Sequence, residues 1–156
     1  IHYIARSILN AQDVFMMGRG LDHAILLEGS LKLKEISYIH SEAYASGELK
    51  HGTIALITED TPVVAVVTQD KVKSKEFSNI KEVQSRGAGV ILFIKETFGL
   101  EKDAVWDSVF MLPAMEDGFM VMPASAALQL LAYYVSLDKG LDVDKPRNLA
   151  KSVTVE

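Results

Sequence analysis

The sequence predicts an α/β domain in which helices cover both faces of a parallel sheet. Three observations lead there. Short apolar runs recur at residues 13–17 (DVFMM), 62–68 (PVVAVVT), 90–94 (VILFI) and 108–112 (SVFML). These runs are continuously apolar, as strands buried on both faces are. Between them lie longer segments with apolar residues at helical spacing, and strands that alternate with helices build parallel sheets.

Residues 1–11 have helical periodicity and no initiator methionine, so residues 1–12 are read as the remnant of an interdomain helix and the chain as a module of something longer. The strand at 13–17 runs into Gly18-Arg19-Gly20, and Asp22 suits the N-cap of a long helix over 22–38. Strand, glycine turn and helix start can turn backbone N–H groups toward an anion. Gly18, Arg19 and Gly20 are therefore candidate substrate-binding residues, although many such turns bind nothing. The dinucleotide fingerprint is not met, because His23 stands where a glycine is needed. No cofactor is expected.

Residues 41–45 read as a short second helix, 45–52 (ASGELKHG) as a loop, and 53–57 as a further apolar, β-branched run. Residues 71–86 carry Val72, Phe77, Ile80 and Val83 at helical spacing and close on Gly87 and Gly89. The last long helix, 119–137, has Met120, Ala124, Leu128, Leu131 and Val135 as its inner row. The tail, 142–156 (DVDKPRNLAKSVTVE), is polar with Leu149, Val153 and Val155 as anchors. Docked across the sheet edge, it would deliver Lys151 to a site.

The helix over 22–38 organises the rest. Glu28, Lys32 and Glu35 fall in one stripe, flanked by Ala24, Leu27, Leu31 and Tyr38 on one side and by Ile25 and Ile36 on the other. A second polar stripe, Ser30, Lys34 and Ser37, lies nearly opposite. A helix packed on a sheet needs one watered face, so a second one predicts a cleft or a partner. An ordinary surface ion pair would explain the spacing alone. The apolar flanks argue for more, because desolvated charges must be paired or used. A carboxylate beside an ammonium group is also a pair whose proton affinities can be tuned for proton transfer.

With 156 residues the chain is one ordinary domain, able to bury roughly 70% of its unfolded surface. Hydrophobic residues make up 49%, rich enough to predict an oligomer or a neighbouring domain. The net charge of −5, with no basic stripe, speaks against a nucleic-acid partner. Cysteine is absent, which excludes disulfides and thiolate chemistry. No leader pattern and no apolar run of about 18 residues predict a cytoplasmic protein with no membrane partner. His40, Glu48 and His51 lack metal-ligand spacing, so no metal is expected.

Two long stretches, EGSLKLKEISYIHSEAYASGELKHG at 28–52 and PRNLAKSVTVE at 146–156, resemble the glutamine–fructose-6-phosphate aminotransferases, the glucosamine-6-phosphate synthases. The resemblance runs from about Gly18 to Glu156 and falls on the second of that family's two sugar isomerase (SIS) domains, which would occupy 13–141, with 142–156 as a catalytic tail. It implies a three-layer, flavodoxin-like sandwich and aldose–ketose isomerisation coupled to ammonia transfer. In the family's pattern Lys151 forms a Schiff base with the carbonyl carbon of the open-chain sugar. Glu35 shuttles the proton between C1 and C2, with Lys32 as an auxiliary. His51 helps open the ring and comes from the neighbouring subunit of a homodimer. Glu28 is read as a structural partner of Lys32 lining the substrate site.

The chemistry fits these residue types. A desolvated lysine amine is a Schiff-base nucleophile, a carboxylate can take a proton acidified by an adjacent iminium, and histidine titrates where ring opening needs it. The implied partners are a phosphosugar (fructose 6-phosphate or glucosamine 6-phosphate), the first SIS domain and the glutaminase domain. The family's phosphate loop, of the S-x-S-G-x-T kind, belongs to the first SIS domain. Here the turn after PVVAVVT reads Gln69-Asp70-Lys71, which would repel phosphate, so this chain alone is expected to be inactive. Two alternatives stand beside this reading: a SIS-type regulator that binds a phosphosugar without turning it over, and a deglycating phosphosugar lyase.

Overall fold

The computed structural model describes residues 1–100 and 106–149. Five strands form one sheet in the order β2-β1-β3-β4-β5: β1 (Asp13–Gly18), β2 (His40–Ala45), β3 (Pro62–Val67), β4 (Gly89–Lys95) and β5 (Ser108–Leu112). Every pairing is parallel. This is the predicted sandwich with its flavodoxin-like strand order. The order reverses between β1 and β3, so their carboxyl ends open onto a crevice of the kind that binds ligands in such sheets.

Alternate residues of each strand enter opposite cores. On one side Val14, Met16, Val64, Val66 and Phe93 meet α2 (Leu21–Ser37) and α5 (Val121–Asp138). On the other, Met17, Ala65, Val67 and Leu92 meet Ile80 and Val83 of α4 (Lys73–Gln84). The inner row predicted for α5 is buried throughout. By length and composition Asp117–Asp138 is apolar enough to cross a membrane. Here that composition serves packing against α2 and the sheet, while Met122, Leu130 and Leu137 stay exposed. Gly29 explains how closely the two helices approach: a Cβ there would stand 2.7 Å from Cδ1 of Leu128.

Several expectations are corrected. Residues 41–45 lie in edge strand β2, not in a helix. Residues 46–49 of the expected loop make the short helix α3 (Ser46–Leu49), and Thr53–Leu56 is a 3-10 turn. The opening helix is brief, with α1 (His2–Ala5) followed by a 3-10 turn at Arg6–Ile8. His2 is held by Asp138 at 2.8 Å and stacks on Tyr134. Of the second polar stripe of α2 only Lys34 is watered. Ser30 and Ser37 are buried, with Ser30 bonded to the hydroxyl and carbonyl of Ser41 on β2 and Ser37 donating to the carbonyl of Leu33.

Candidate active site

The crevice between β1 and β3 is built on glycine and on buried charge. A Cβ on Gly18 would sit 2.9 Å from the backbone of Asp22, so only glycine lets the strand turn this tightly into α2. Asp22 is not the N-cap; Gly20 is. The Asp22 carboxylate is buried and accepts both the N–H (2.9 Å) and the hydroxyl of Thr68 at the end of β3. Burial pushes its carboxyl up to about 6, against the opposing hydrogen bonds from Thr68 and Gln69.

Arg19 reaches α4. Its Nε and Nη2 donate to Oδ1 of Asn79 at 3.1 and 2.7 Å, and Glu76 lies 3.9 Å away. Glu76 is buried and accepts the hydroxyl of Ser46 at 2.6 Å, leaving its other oxygen without a hydrogen bond. Desolvation pushes its carboxyl up to about 7, which the Ser46 hydroxyl and Arg19 only partly offset. The sequence marks Asp22 only as an N-cap candidate and Ser46 only as a loop residue of ASGELKHG, and Glu76 falls in no motif. The next turn is closed as well. Lys95, buried at the end of β4, holds Asp70 at 3.0 Å and Asp117 at 2.7 Å, so the loop after β3 is pinned by an ion triad whose cation is buried and whose acids reach the surface.

The charged stripe is at the other end of α2. Nζ of Lys32 stands 2.6 Å from Oε2 of Glu35 and 3.7 Å from Oε1 of Glu28. The bond to Glu35 is the largest influence on the Lys32 ammonium and holds its pKa above the usual lysine range. Lys32 and Glu35 are about 30% exposed and Glu28 is nearly half exposed. One turn further on, the helix ends at Tyr38 in a left-handed conformation, φ 61°. The tail reaches this end: Arg147 lies over the Tyr38 ring, 4.1 Å from its centre, and donates its backbone N–H to the Tyr38 hydroxyl at 2.9 Å. Glu35, Tyr38, His40, Arg147 and Leu149 line a groove of about 450 Å³ here. A larger cavity, about 620 Å³, opens among Asp13, His40 and Asp60 and holds none of the predicted site residues.

Glu28, Lys32 and Glu35 are thus together. Gly18, Arg19 and Gly20 lie at the opposite, carboxyl end of the strands, where β1 ends. His51 is exposed and follows α3 at that same far end of the strands, about the length of a strand from Glu35. Lys151 lies outside the described residues, two positions beyond Leu149.

A parallel 2-1-3-4-5 sheet with a charged pair at the end of its first long helix defines a class, and the SIS domain family model matches residues 7–137. The chain belongs to the SIS domain family. Within that class it is similar to glutamine–fructose-6-phosphate aminotransferases (isomerizing). It is 60% identical to that of Clostridium acetobutylicum over 146 residues, 93% of this chain and 24% of the relative. To that of Caldanaerobacter subterraneus it is 54% identical over 156 residues, 100% of this chain and 26% of the relative. The chain spans about a quarter of the length of the curated relatives it matches. The solved C-terminal domain of glucosamine-fructose-6-phosphate aminotransferase from Francisella tularensis superposes with a TM-score of 0.85 at 42% identity, over 92% of this chain and 40% of that one. A glucosamine-6-phosphate deaminase from Thermotoga maritima shares the fold, with TM-score 0.65 and 22% identity over 97% of this chain and 45% of that one.

Proposed function

We propose that this domain supplies the isomerising half of a glucosamine-6-phosphate synthase, which turns fructose 6-phosphate and glutamine-derived ammonia into glucosamine 6-phosphate. The observation that carries the reading is the half-buried Lys32–Glu35 pair beside a groove that the chain end crosses at residues 147–149. Two residues beyond that crossing comes Lys151.

In this reading the Lys151 amine condenses with the C2 carbonyl of the open sugar and releases water. The resulting iminium acidifies the hydrogens on C1. Glu35 takes a proton from C1 and returns it at C2, with Lys32 holding the carboxylate in place through their 2.6 Å contact. The product nitrogen comes from ammonia, which adds to the C2 iminium and expels the Lys151 amine by transimination, so this exchange precedes the return of the proton to C2. His51 of a neighbouring copy opens the ring. Gly18, Arg19, Gly20 and Glu28 belong to the substrate-binding shell. Phosphate is bound by the first SIS domain, and glutamine is hydrolysed by a separate glutaminase domain. The 156 residues by themselves turn nothing over.

The test is a chimera in which this chain replaces the matching segment of the Clostridium acetobutylicum enzyme. It should form glucosamine 6-phosphate, and borohydride reduction in the presence of fructose 6-phosphate should leave a stable adduct on Lys151. Turnover that survives Lys151→Ala, or an adduct mapped to another lysine, overturns the assignment. Turnover by the isolated 156 residues contradicts the division of labour.

A further inference from the structure

We propose that Tyr38 and Arg147 form a latch that sets where the chain end crosses Glu35, which makes Tyr38 a positioning residue for the Lys151 amine. The inference rests on the proposed Schiff-base role of Lys151 and adds to it the residue pair that aims the tail.

Three observations point the same way. First, Tyr38 holds φ at 61°, a region that bulky residues visit rarely. Backbone strain of this kind persists where the surroundings over-determine it. Second, the ring receives two different contacts from one residue 109 positions away: the Arg147 guanidinium on its face and the Arg147 backbone N–H on its hydroxyl. Among the described residues this is the hydrogen bond that ties 142–149 to the body of the domain. The bonds of Asp142, by contrast, close a turn onto Asp144 and Lys145. Third, Asn148 is also left-handed, with φ 62°, a conformation asparagine tolerates. The chain therefore bends immediately after the latch, and Leu149 enters the groove lined by Glu35.

The geometry gives the latch a purpose. Glu35 lies three residues before Tyr38, about 4.5 Å along the helix axis. From Arg147 to Lys151 the backbone can span at most about 14 Å. With the latch open, the last fixed point is Leu141, whose N–H bonds to the carbonyl of Ser136 at 3.0 Å. The tether then grows from four residues to ten, and the effective concentration of the amine at the groove falls about four-fold from length alone.

The experiment compares parent, Tyr38→Ala, Tyr38→Phe, Arg147→Ala and Arg147→Lys in the chimera described above. The rate of borohydride-trapped adduct on Lys151 is followed in a single turnover beside kcat, KM and the thermal midpoint. Tyr38→Ala should slow adduct formation about four-fold or more, and Arg147→Ala, which keeps the backbone N–H to the Tyr38 hydroxyl, by a smaller but measurable factor, with KM for fructose 6-phosphate and the midpoint nearly unchanged. Tyr38→Phe, which keeps the ring face, and Arg147→Lys, which keeps the cation, should each recover part of the rate. In the 156-residue chain itself, Tyr38→Ala should speed tryptic cleavage after Arg147 several-fold. Adduct formation at the parental rate in both alanine variants overturns the latch, as does an effect confined to KM. Should Tyr38→Ala fail to fold, Arg147→Ala, an exposed position, decides alone. A parent that forms no adduct on Lys151 refutes the Schiff-base reading instead, so the two failures are told apart.

Discussion

Asp22 on α2 and Thr68 at the end of β3 are joined by two hydrogen bonds onto one buried carboxylate, which staples the helix across the point where the strand order reverses. Beside this staple sits Glu76, whose second oxygen has no hydrogen bond and whose neighbour Arg19 lies at 3.9 Å. These acids make the crevice sensitive to pH.

The Glu76 carboxyl sits at about 7 in the folded chain against an ordinary 4.5. A raised carboxyl binds its proton more tightly in the folded than in the unfolded chain. Its contribution to stability is therefore fully present below about pH 4.5 and is lost as pH rises to about 7. The loss is at most on the order of 3 kcal/mol. Urea unfolding at pH 5 and pH 7.5 should show this decline in the parent and a flatter profile in Glu76→Gln; parallel profiles would refute the shift.

Lys95 acts in the opposite sense on Asp117, whose carboxyl is held below the usual range chiefly by the Lys95 hydrogen bond. A depressed carboxyl stabilises the fold above its ordinary value near 4 and loses that stabilisation as pH falls further. Lys95→Met removes the cation from between two acids and is expected to cost about 1–3 kcal/mol at neutral pH. Below pH 4 the gap between variant and parent should narrow, which acid titration of the unfolding midpoint would read.

Gly29 and Leu128 make a packing prediction free of charge effects. A Cβ on Gly29 has no room against Leu128, so Gly29→Val should destabilise by about 1–3 kcal/mol through overpacking. The pairing of Gly29→Val with Leu128→Ala should recover part of that loss. A chemical-denaturation double-mutant cycle measures it, and strict additivity would deny the contact.

For the proposed chemistry, Glu35→Gln keeps the shape of the pair and removes the base. It should lower product formation by about 10²–10⁴ in the chimera while leaving adduct formation on Lys151 largely intact. Lys32→Met should fall less, because it alters the base's surroundings only. Equal loss in both steps for Glu35→Gln would move the carboxylate out of the proton transfer.

Much of this arrangement was legible in the sequence. Continuous apolar runs marked β1, β3, β4 and β5, and three-to-four spacing marked the inner row of α5. The Glu28–Lys32–Glu35 cluster follows from helical periodicity alone. β2 was misread because an edge strand has one pairing partner and tolerates polar residues, so SEAYA carries helix formers as readily as strand formers. Ser30 and Ser37 looked watered because each hides its hydroxyl in a hydrogen bond that no period reveals. The Tyr38–Arg147 contact was beyond reach: it joins residues 109 apart through a left-handed tyrosine, for which side-chain type gives no signal.

The placement of Glu35 and His51 at opposite ends of the strands of one sheet carries an arithmetic consequence. If both attend one sugar, they come from different polypeptides, and two-fold symmetry then makes such centres in pairs. Chimeric subunits bearing Glu35→Gln and others bearing His51→Ala, each inert alone, should complement when mixed. Random reassociation gives hybrids half the time, each with one intact centre of two, so about a quarter of the parental rate should return.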